Sequence, residues 1–551
     1  MSSTSLHGIS RAIAGFLALA GVAAPACSQQ PASRPQPSDA ARGDSIVVAL
    51  QAAPRTLLEP FATLDDELHI GSLIASSLTN LELRDELIHT PGLAHRWEWS
   101  PDGKEITYHL RNAKWDDGAP IRASDVVFTY RLIGDERANS VRREYVSRIE
   151  KVEALDEKKV KFTFKTAYYR ESQLSDAGEC ILPEHIYGKL DPQQLYGTEL
   201  ALAPVGHGPF RVVEHQGNEA FVLERNEGVT TAGVPYLARA VFLRVGDYEA
   251  RLRKLLAGEI DAMDGIRPED LEAIRKRGEF DLYDRGQRFV DFVAWNQKRE
   301  LFQDIRVRRA LTFAIDREGM IAALLTAGGK VYGKQPVGTV PPVLRSAYAG
   351  DLMPLPFDPA AAEKLLDEAG WTRPSAGAVR TRNGKPLAFT LLVNDETPRR
   401  RQTARMVQQD LKKVGIAVEV DSMRFDVLQK RMEARDYDAA IYGFSASLQM
   451  KQGDTWTTGS AFNFGGYSSP KVDAIAAAIS SEMDSTRLRV LLKDMQRQIY
   501  EDQPYTFLCW FSRFAVVRNR FRNFGANELG FTIALEGCYV PKALQKTFPG
   551  R

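Results

Sequence analysis

The sequence is poor in histidine and cysteine, the residues that most often build metal and nucleophile sites. It has 551 residues, of which eight are histidine and four are cysteine. All the histidines lie between His7 and His215, and the sequence contains no HExxH motif, no C-x-x-C motif and no histidine pair at helical spacing. We therefore expect no metal site, no cofactor and no metal-dependent binding.

The same histidine distribution argues against a serine hydrolase. Residues 443–447 read GFSAS after the strand-like DAAIY, which is close to the G-x-S-x-G turn that presents a nucleophilic serine. The last glycine of that turn is missing. No histidine follows Ser445, although the hydrolase class needs the chain order Ser, Asp, His. We expect a protein that is not an enzyme.

The sequence also lacks an excess of charge of one sign. It has 72 basic and 71 acidic side chains, and Arg11 is the one charged residue before Cys27. Removal of that leading segment would therefore leave 71 of each. A nucleic-acid surface needs surplus basic charge, so we expect no nucleic-acid partner. The basic run at residues 399–401, with Arg405 one turn later, is interpreted as a solvated helix face.

The apolar run near the N-terminus is short. Residues 12–24 follow Arg11 and end at Pro25, as the charged and apolar regions of an export signal do. Its 13 residues are too few to span a bilayer. The protein is therefore expected in the periplasm or cell envelope.

Two processing routes are open for this leader. Residues 24–26, APA, fit ordinary signal cleavage, whereas Cys27 directly after them fits a lipobox whose cysteine is acylated, although the usual leucine is absent. The following segment is polar, Pro-rich and without apolar periodicity. We expect residues 1–26 to be a signal peptide, Cys27 to be lipidated and anchored to a membrane, and residues 27–44 to be a flexible tether.

Three cysteines remain after Cys27, an odd number for an oxidising compartment. These three cysteines can form one disulfide. We favour Cys509 with Cys538 and leave Cys180 free, although sequence separation cannot establish the geometry.

The rest of the chain alternates strand and helix patterns. Strands are predicted at residues 45–49, 106–110, 210–214, 387–393 and 416–420, and helices from 304 within the segment 301–317, from 358, at 399–414 and from 469. Asp304, Asp358, Ser469 and Ser124 are predicted N-caps, and Asp117-Gly118 a turn. The order strand, helix, strand over residues 387–420 indicates a βαβ unit in a parallel sheet.

Five segments together resemble one family. Residues 295–317, WNQ followed by LFQDIRVRRALTFAIDR, are similar to the "N…F.D.RVR.AL..AIDR" signature of the family 5 extracellular solute-binding proteins. The other similar blocks, in the family's order, are LAHRWEWSPDGKEITYHLRNAKWDDGAPIRASDVVF at 93–128, GHGPF at 206–210, DPAAAEKLLDEAGW at 358–371 and GYSSPKVD at 466–473. The resemblance runs from about residue 45 to the C-terminus.

The resemblance implies an α/β fold of the two-lobed periplasmic-binding-protein type (type II, cluster C) with an additional inserted domain. Carried onto this chain by motif position, the first lobe consists of residues 45–77, 196–293 and 507–551. The inserted domain covers 78–195, and the second lobe covers 294–506.

The resemblance also implies a function. Family members are dipeptide and oligopeptide receptors of ABC importers, which bind a solute between their lobes and deliver it to an inner-membrane permease. We expect a monomer that binds a peptide or peptide-like solute. The alternatives are a receptor for a non-peptide solute such as an oligosaccharide or opine, and an envelope sensor or chaperone-like protein on the same fold.

Family receptors for free peptides hold the ligand ammonium with an Asp in a "GW..D" segment. Here that segment keeps an aromatic as Phe444, but the carboxylate position falls on Ser447, and Asp454 is the nearest substitute. A neutral hydroxyl cannot supply the charge-assisted bond that a buried ammonium requires. The full set of expected ligand-binding residues is Trp295, Asn296, Phe444, Ser447, Asp454, Trp456, Asn463 and Tyr467.

The leader generates the first prediction. Replacing Cys27 with Ser should move the protein from the membrane fraction to the soluble periplasmic fraction, because the acyl chains would have no attachment point. Fractionation and immunoblotting of both forms measure this. Wild-type protein that is already fully soluble would show that lipidation does not occur.

Overall fold

The computed structural model describes residues 40–84, 86–229, 234–450, 453–460, 462–527, 529–532 and 535–546. The predicted signal peptide, Cys27 and most of the predicted tether lie outside these residues. Within them, no helix is both long and apolar enough to cross a membrane.

The strands, numbered in chain order, are β1 Ser45–Leu50, β2 Thr79–Leu83, β3 Leu87–Pro91, β4 Ala94–Trp99, β5 Glu105–Leu110, β6 Ile149–Ala154, β7 Lys159–Phe164, β8 Phe210–Gln216, β9 Ala220–Arg225, β10 Arg239–Arg244, β11 Ala262–Ile266, β12 Phe280–Trp295, β13 Thr326–Ala327, β14 Lys330–Val331, β15 Gly333–Lys334, β16 Thr381–Arg382, β17 Lys385–Pro386, β18 Ala388–Asn394, β19 Ala417–Met423, β20 Ala439–Ser445 and β21 Tyr505–Arg518.

The α-helices are α1 Asp65–Ile74, α2 Ala123–Gly134, α3 Arg143–Val146, α4 Arg170–Asp176, α5 Glu184–Tyr187, α6 Glu199–Leu202, α7 Tyr248–Ala257, α8 Leu271–Arg277, α9 Glu300–Gln303, α10 Ile305–Ala314, α11 Arg317–Leu324, α12 Pro359–Glu368, α13 Pro398–Lys413, α14 Phe425–Glu433, α15 Gly453–Trp456, α16 Pro470–Ser481 and α17 Ser485–Asp502. Short 3-10 helices occupy Glu59–Phe61, Glu136–Ala138, Pro192–Leu195, Pro268–Asp270, Leu535–Gly537 and Lys542–Leu544.

Most strands join one long mixed sheet. Within the described residues it has eleven strands in the order β19-β18-β20-β12-β21-β11-β1-β10-β9-β8, with β15 added on β21. We call the part around β1 and β8–β11 the first lobe and the part around β18–β20 the second lobe. The fold is α/β and two-lobed, as the sequence predicts.

Two strands join the lobes. β12 and β21 pair antiparallel along their length, and we call them the hinge strands. Their pairing runs from Phe280 with Arg518 in the first lobe to Ala294 with Tyr505 in the second. The register shifts between Asp284 and Phe289, where Gly286 has φ +71°. Because residues 296–504 lie between these strands in sequence, the second lobe is attached to the first by two covalent crossings.

The second lobe is built as its periodicity predicts. Leu391 on β18 and Val420 on β19 are partners in a parallel pair, and α13 connects the two strands. The βαβ prediction is therefore confirmed. Residues on β12 alternate between two cores: Val290 and Phe292 pack in one, Val293 in the other.

Three of the four predicted helix caps are confirmed. The carboxylate of Asp304 accepts from the Arg306 amide, that of Asp358 accepts from Ala361, and the Ser469 hydroxyl accepts from Val472. Each bond satisfies an amide in the first turn that has no partner within its helix.

The Ser124 cap is wrong. Helix α2 begins at Ala123, with Arg122 as the N-cap residue. The buried carboxylate of Asp125 accepts bonds from the amides of Arg122 and Glu184, 2.8 Å and 2.9 Å away. These bonds fix the N-cap two residues earlier, at Arg122, and leave Ser124 exposed.

A separate sheet has the order β4-β5-β7-β6, and we call it the small sheet. It falls inside the predicted inserted domain. The predicted strand at 106–110 is β5, and Gly118 makes the predicted positive-φ turn at φ +89°. Asp116 in that turn accepts bonds from the Gly206 amide, 3.2 Å away, and from the Asn226 amide group. This part of the chain is thereby tied to the first lobe.

Candidate functional site

The middle of the hinge strands carries a pair of aromatic rings. Phe289 on β12 and Phe511 on β21 have ring centroids 5.9 Å apart, and both are partly exposed. The Arg399 guanidinium lies 4.0 Å from the Phe511 centroid, and the Arg513 guanidinium lies 5.5 Å from that of Phe289. Each is within cation–π range. The floor between the lobes is thus an apolar platform with a cation on either side.

On the second-lobe side, one buried carboxylate holds two guanidinium groups. Asp291 has 2% of its side chain exposed, and it contacts Arg399 and Arg400 from the first turn of α13. The Arg400 Nη2 to Asp291 Oδ1 distance is 2.9 Å. Burial opposes ionisation of Asp291, but the two guanidinium groups outweigh it and hold its pKa below the ordinary value.

A glycine leaves the room for this group. A Cβ added to Gly443 on β20 would lie 2.3 Å from Asp291 Oδ1 and 2.5 Å from Arg400 Nη2. The glycine that resembles a nucleophile elbow in the sequence therefore serves to admit a buried ion pair. Ser445, the residue in the nucleophile position, is exposed at the end of β20.

On the first-lobe side a second ionic group adjoins the platform. Arg513 Nε lies 3.2 Å from Asp264 Oδ2, and Arg513 also contacts Asp65. Arg285 bonds to Asp264 and, at 3.2 Å, to the carbonyl oxygen of Asn527. In this group the negative charges of two carboxylates thus balance the positive charges of two guanidinium groups.

Two of the predicted ligand-binding residues lie in the core of the second lobe. Trp295 is fully buried, stacks on Phe302 at 5.3 Å and donates from Nε1 to Thr506 Oγ1, 3.1 Å away. The buried Asn296 donates to the carbonyl oxygens of Arg435 and Tyr437. Both side chains have structural partners in this conformation.

Buried side chains at the end of α15 and in the described residues after it, 457–460 and 462–467, make contacts that hold this part of the chain. Buried Trp456 packs on Tyr505 at 5.0 Å, and buried Asn463 donates to the carbonyl oxygens of Thr457 and Tyr467. Tyr467 is also buried, and its hydroxyl donates to Asp502.

The remaining predicted residues lie at the end of β20, just after it, or in α15. Phe444 is partly exposed and contacts the Phe292 ring at 5.3 Å. Ser447 is exposed, and its Oγ accepts from the Gln449 amide. Asp454 falls within α15, and its side chain lies outside the described part of the structure. Ligand contact by these residues stays a prediction.

The interpretation of the basic run was half wrong. Arg401 and Arg405 are exposed, but Arg399 and Arg400 turn inward to Asp291. One signal in the sequence pointed to this group: Asp291 is a lone charge in the apolar stretch FVDFVAW. A buried charge needs a partner, and the arginine run offered one.

The predicted disulfide is not present. Cys180, Cys509 and Cys538 are free, buried thiols. Cys538 belongs to the first-lobe core, whereas Cys509 lies with Ile321 and Leu325 in a different cluster. The two cysteines therefore lie in separate cores, and their separation in the sequence does not show this.

A lobe pair joined by two crossing strands is the architecture of a periplasmic binding protein. Residues 89–466 match the sequence model of the bacterial extracellular solute-binding proteins, family 5 Middle. The chain belongs to this family of solute-binding proteins, whose members act outside the cytoplasm. Within the described residues, no group of three or more His, Cys, Asp or Glu is placed to hold a metal ion.

Several known proteins are similar over most of the chain. The oligopeptide-binding protein AppA of Bacillus subtilis is 27% identical over 492 residues, covering 87% of this chain and 88% of AppA. The nickel-binding periplasmic protein of Escherichia coli is 25% identical over 487 residues, covering 85% and 89%. The solved structure of B. subtilis AppA with a nonapeptide has a TM-score of 0.78 at 24% identity, over 91% of this chain and 100% of that one.

The Asp291 group generates the second prediction. Replacing Asp291 with Ala should destabilise the protein by about 3 kcal/mol, because two largely buried guanidinium groups lose their counter-charge. Replacing Asp421 with Ala is the matched control: this residue pairs with Arg431 at 3.5 Å on the surface and should cost less than about 0.5 kcal/mol. Denaturant unfolding at pH 7 measures both.

The wild-type contribution should also depend on pH. Because the pKa of Asp291 is lower in the folded than in the unfolded protein, its stabilisation is complete above about pH 4 and is lost as the pH falls further. The difference in unfolding free energy between wild type and Asp291→Ala should therefore shrink in acid. An unchanged difference at pH 3 would contradict this assignment.

Proposed function

We propose that the protein is the extracytoplasmic substrate-binding receptor of an ABC importer and binds a peptide or peptide-like solute between its lobes. The observation that carries this proposal is the attachment of residues 296–504 through the two hinge strands, with the Phe289–Phe511 platform at the crossing. A hinge of this kind lets the lobes close over a solute. The resemblance to an oligopeptide-binding protein over 87% of the chain supports the solute class.

Such a receptor acts by binding energy and lobe closure, so it needs no catalytic residue. The closed form would be recognised by an inner-membrane permease. We propose a monomer held at the membrane by acylated Cys27. Domain boundaries at residues 78, 196, 294 and 507 belong to the same proposal.

For the ligand contacts, the exposed end of β20 is the best placed. Phe444 offers an aromatic wall and Ser447 a neutral hydroxyl, with Asp454 on the following helix. Trp295, Asn296, Trp456, Asn463 and Tyr467 are buried, so their proposed contribution is to hold the strand ends and the described residues after α15 in place.

The neutral Ser447 also favours a solute without a free amine. A buried ammonium that lacks a counter-charge keeps a desolvation cost of several kcal/mol. Blocked peptides and peptide-like compounds avoid that cost, and so do oligosaccharides. Opine-like solutes avoid that cost as well where their nitrogen is acylated and therefore neutral.

The third prediction tests this selectivity. N-acetyl-trialanine should bind at least tenfold more tightly than free trialanine, since acetylation removes the uncompensated charge. Isothermal titration calorimetry of both peptides measures the ratio. Tight binding of the free form that is lost on acetylation would show that another acid, Asp454 first of all, holds the ammonium. Binding of neither peptide would move the proposal to non-peptide solutes.

The fourth prediction tests closure. Saturation with whichever trialanine form binds should reduce the radius of gyration, because the second lobe rotates onto the first about the hinge strands. Small-angle X-ray scattering with and without the peptide measures this. An unchanged radius at saturation would contradict a closing receptor.

A further inference from the structure

The turn of the hairpin formed by β2 and β3 places a carboxylate against the second lobe. Glu86 lies in the turn between these strands, and only 14% of its side chain is exposed. Its Oε1 accepts from Arg489 Nε on α17 at 2.7 Å and from Ser346 Oγ at 3.2 Å. Its Oε2 accepts from the Tyr169 hydroxyl at 3.2 Å. We call these four residues the Glu86 contact.

Apolar packing surrounds the Glu86 contact. Leu83 and Tyr169 pack against the second-lobe core that contains Leu488 of α17. Close by along the chain, a Cβ added to Gly103 would lie 2.7 Å from the Met483 methyl group, just before α17. The second lobe therefore meets the hairpin and the small sheet along the start of one helix.

The part of the chain that carries the hairpin is fixed to the first lobe. The Ser140 hydroxyl donates to the Pro60 carbonyl oxygen at 2.8 Å. Arg142 pairs with Glu59 and with Glu179, the latter at 3.1 Å. Together with the bonds from Asp116, these contacts hold the chain around the small sheet against the first lobe. The hairpin is joined to that part of the chain because the His89 amide of β3 donates to Glu171 Oε2 on α4 at 3.2 Å.

Lobe motion affects the contacts to the first lobe and the Glu86 contact to the second lobe differently. Contacts to the first lobe stay intact when the second lobe rotates, because both partners are on the same side of the hinge strands. Arg489 and Ser346 lie within residues 296–504, which move with the second lobe. Opening must therefore pull them away from Glu86.

We propose that the Glu86 contact is a closure latch, in which the hairpin attached to the first lobe binds α17 when the cleft closes and thereby stabilises the closed state. It is separate from the ligand-binding residues proposed above. It acts whether or not a solute is bound, so its test needs no ligand.

The test measures the distance between the small sheet and the second lobe without ligand. Spin labels at Leu155→Cys, in the turn between β6 and β7, and Val427→Cys, on α14, would sit at exposed positions in the Cys27→Ser protein. The native Cys180, Cys509 and Cys538 are buried. Pulsed electron paramagnetic resonance then gives the populations of short and long distances.

Glu86→Gln and Arg489→Gln should each lower the ratio of closed to open molecules by roughly threefold, as expected for a partly exposed ion pair. The double variant should lower the ratio by no more than either single variant, because both single variants remove the same Glu86–Arg489 ion pair. Ser346→Ala should shift the ratio in the same direction by a smaller factor. Arg497→Gln is the control: it lies on the same helix but pairs with Asp351 and Asp494, and it should change nothing.

Two results would overturn the latch. One is a distance distribution for folded Glu86→Gln that matches the wild type. The other is a double variant whose effect is the sum of the single effects, since independent residues would then be responsible. Melting curves for each variant establish that it is folded.

Discussion

The antiparallel pairing of β12 with β21 is the constraint on which the rest of the structure depends. These strands run through the cores of both lobes, so the same hydrogen bonds that complete the first-lobe sheet continue into the second. The irregular register between Asp284 and Phe289 interrupts that ladder where the lobes meet. A bulge at this point bends the strands and leaves backbone that can absorb rotation.

Each of the two ionic groups near the crossing of the hinge strands takes its partners from one lobe. Asp291 takes its partners from α13 in the second lobe, whereas Asp264 takes Arg285 and Arg513 from the first-lobe side of the hinge strands. Neither group spans the two lobes. Between them lies the Phe289–Phe511 pair, whose contact is apolar and therefore not directional. Each lobe can therefore be rigid without the crossing being rigid.

Helix starts and the βαβ unit could be predicted from the sequence because they depend on residues close together in the chain. Asp304, Asp358 and Ser469 cap helices through bonds to amides two or three residues away, and the βαβ unit over residues 387–420 follows from periodicity. Family resemblance supplied the two-lobed arrangement. Ser124 was mistaken for a cap because the amide of Glu184, 59 residues from Asp125, also fixes the start of α2.

The site was less predictable for the same reason. Trp295 was predicted as a ligand-binding residue from its motif, whereas its burial depends on neighbours such as Thr506 and Phe389, which come from other segments. The role of Gly443 depends on Asp291 and Arg400, which approach from two other elements. The spacing of these residues in the sequence does not predict that they approach one another. A charged residue inside an apolar strand was the one local sign that a partner had to exist.

The position of the second lobe between two paired strands has a consequence for how the chain folds. Trp295 and Thr506, which bond at the end of the crossing, are 211 residues apart in sequence. Bringing such distant segments together carries a length-dependent entropy cost of roughly 5 kcal/mol if the intervening chain is still unfolded. That cost falls once β18, β19 and α13 have formed, because their contacts are local and shorten the effective loop. Assembly of the intervening lobe before the crossing strands pair is therefore the less costly order.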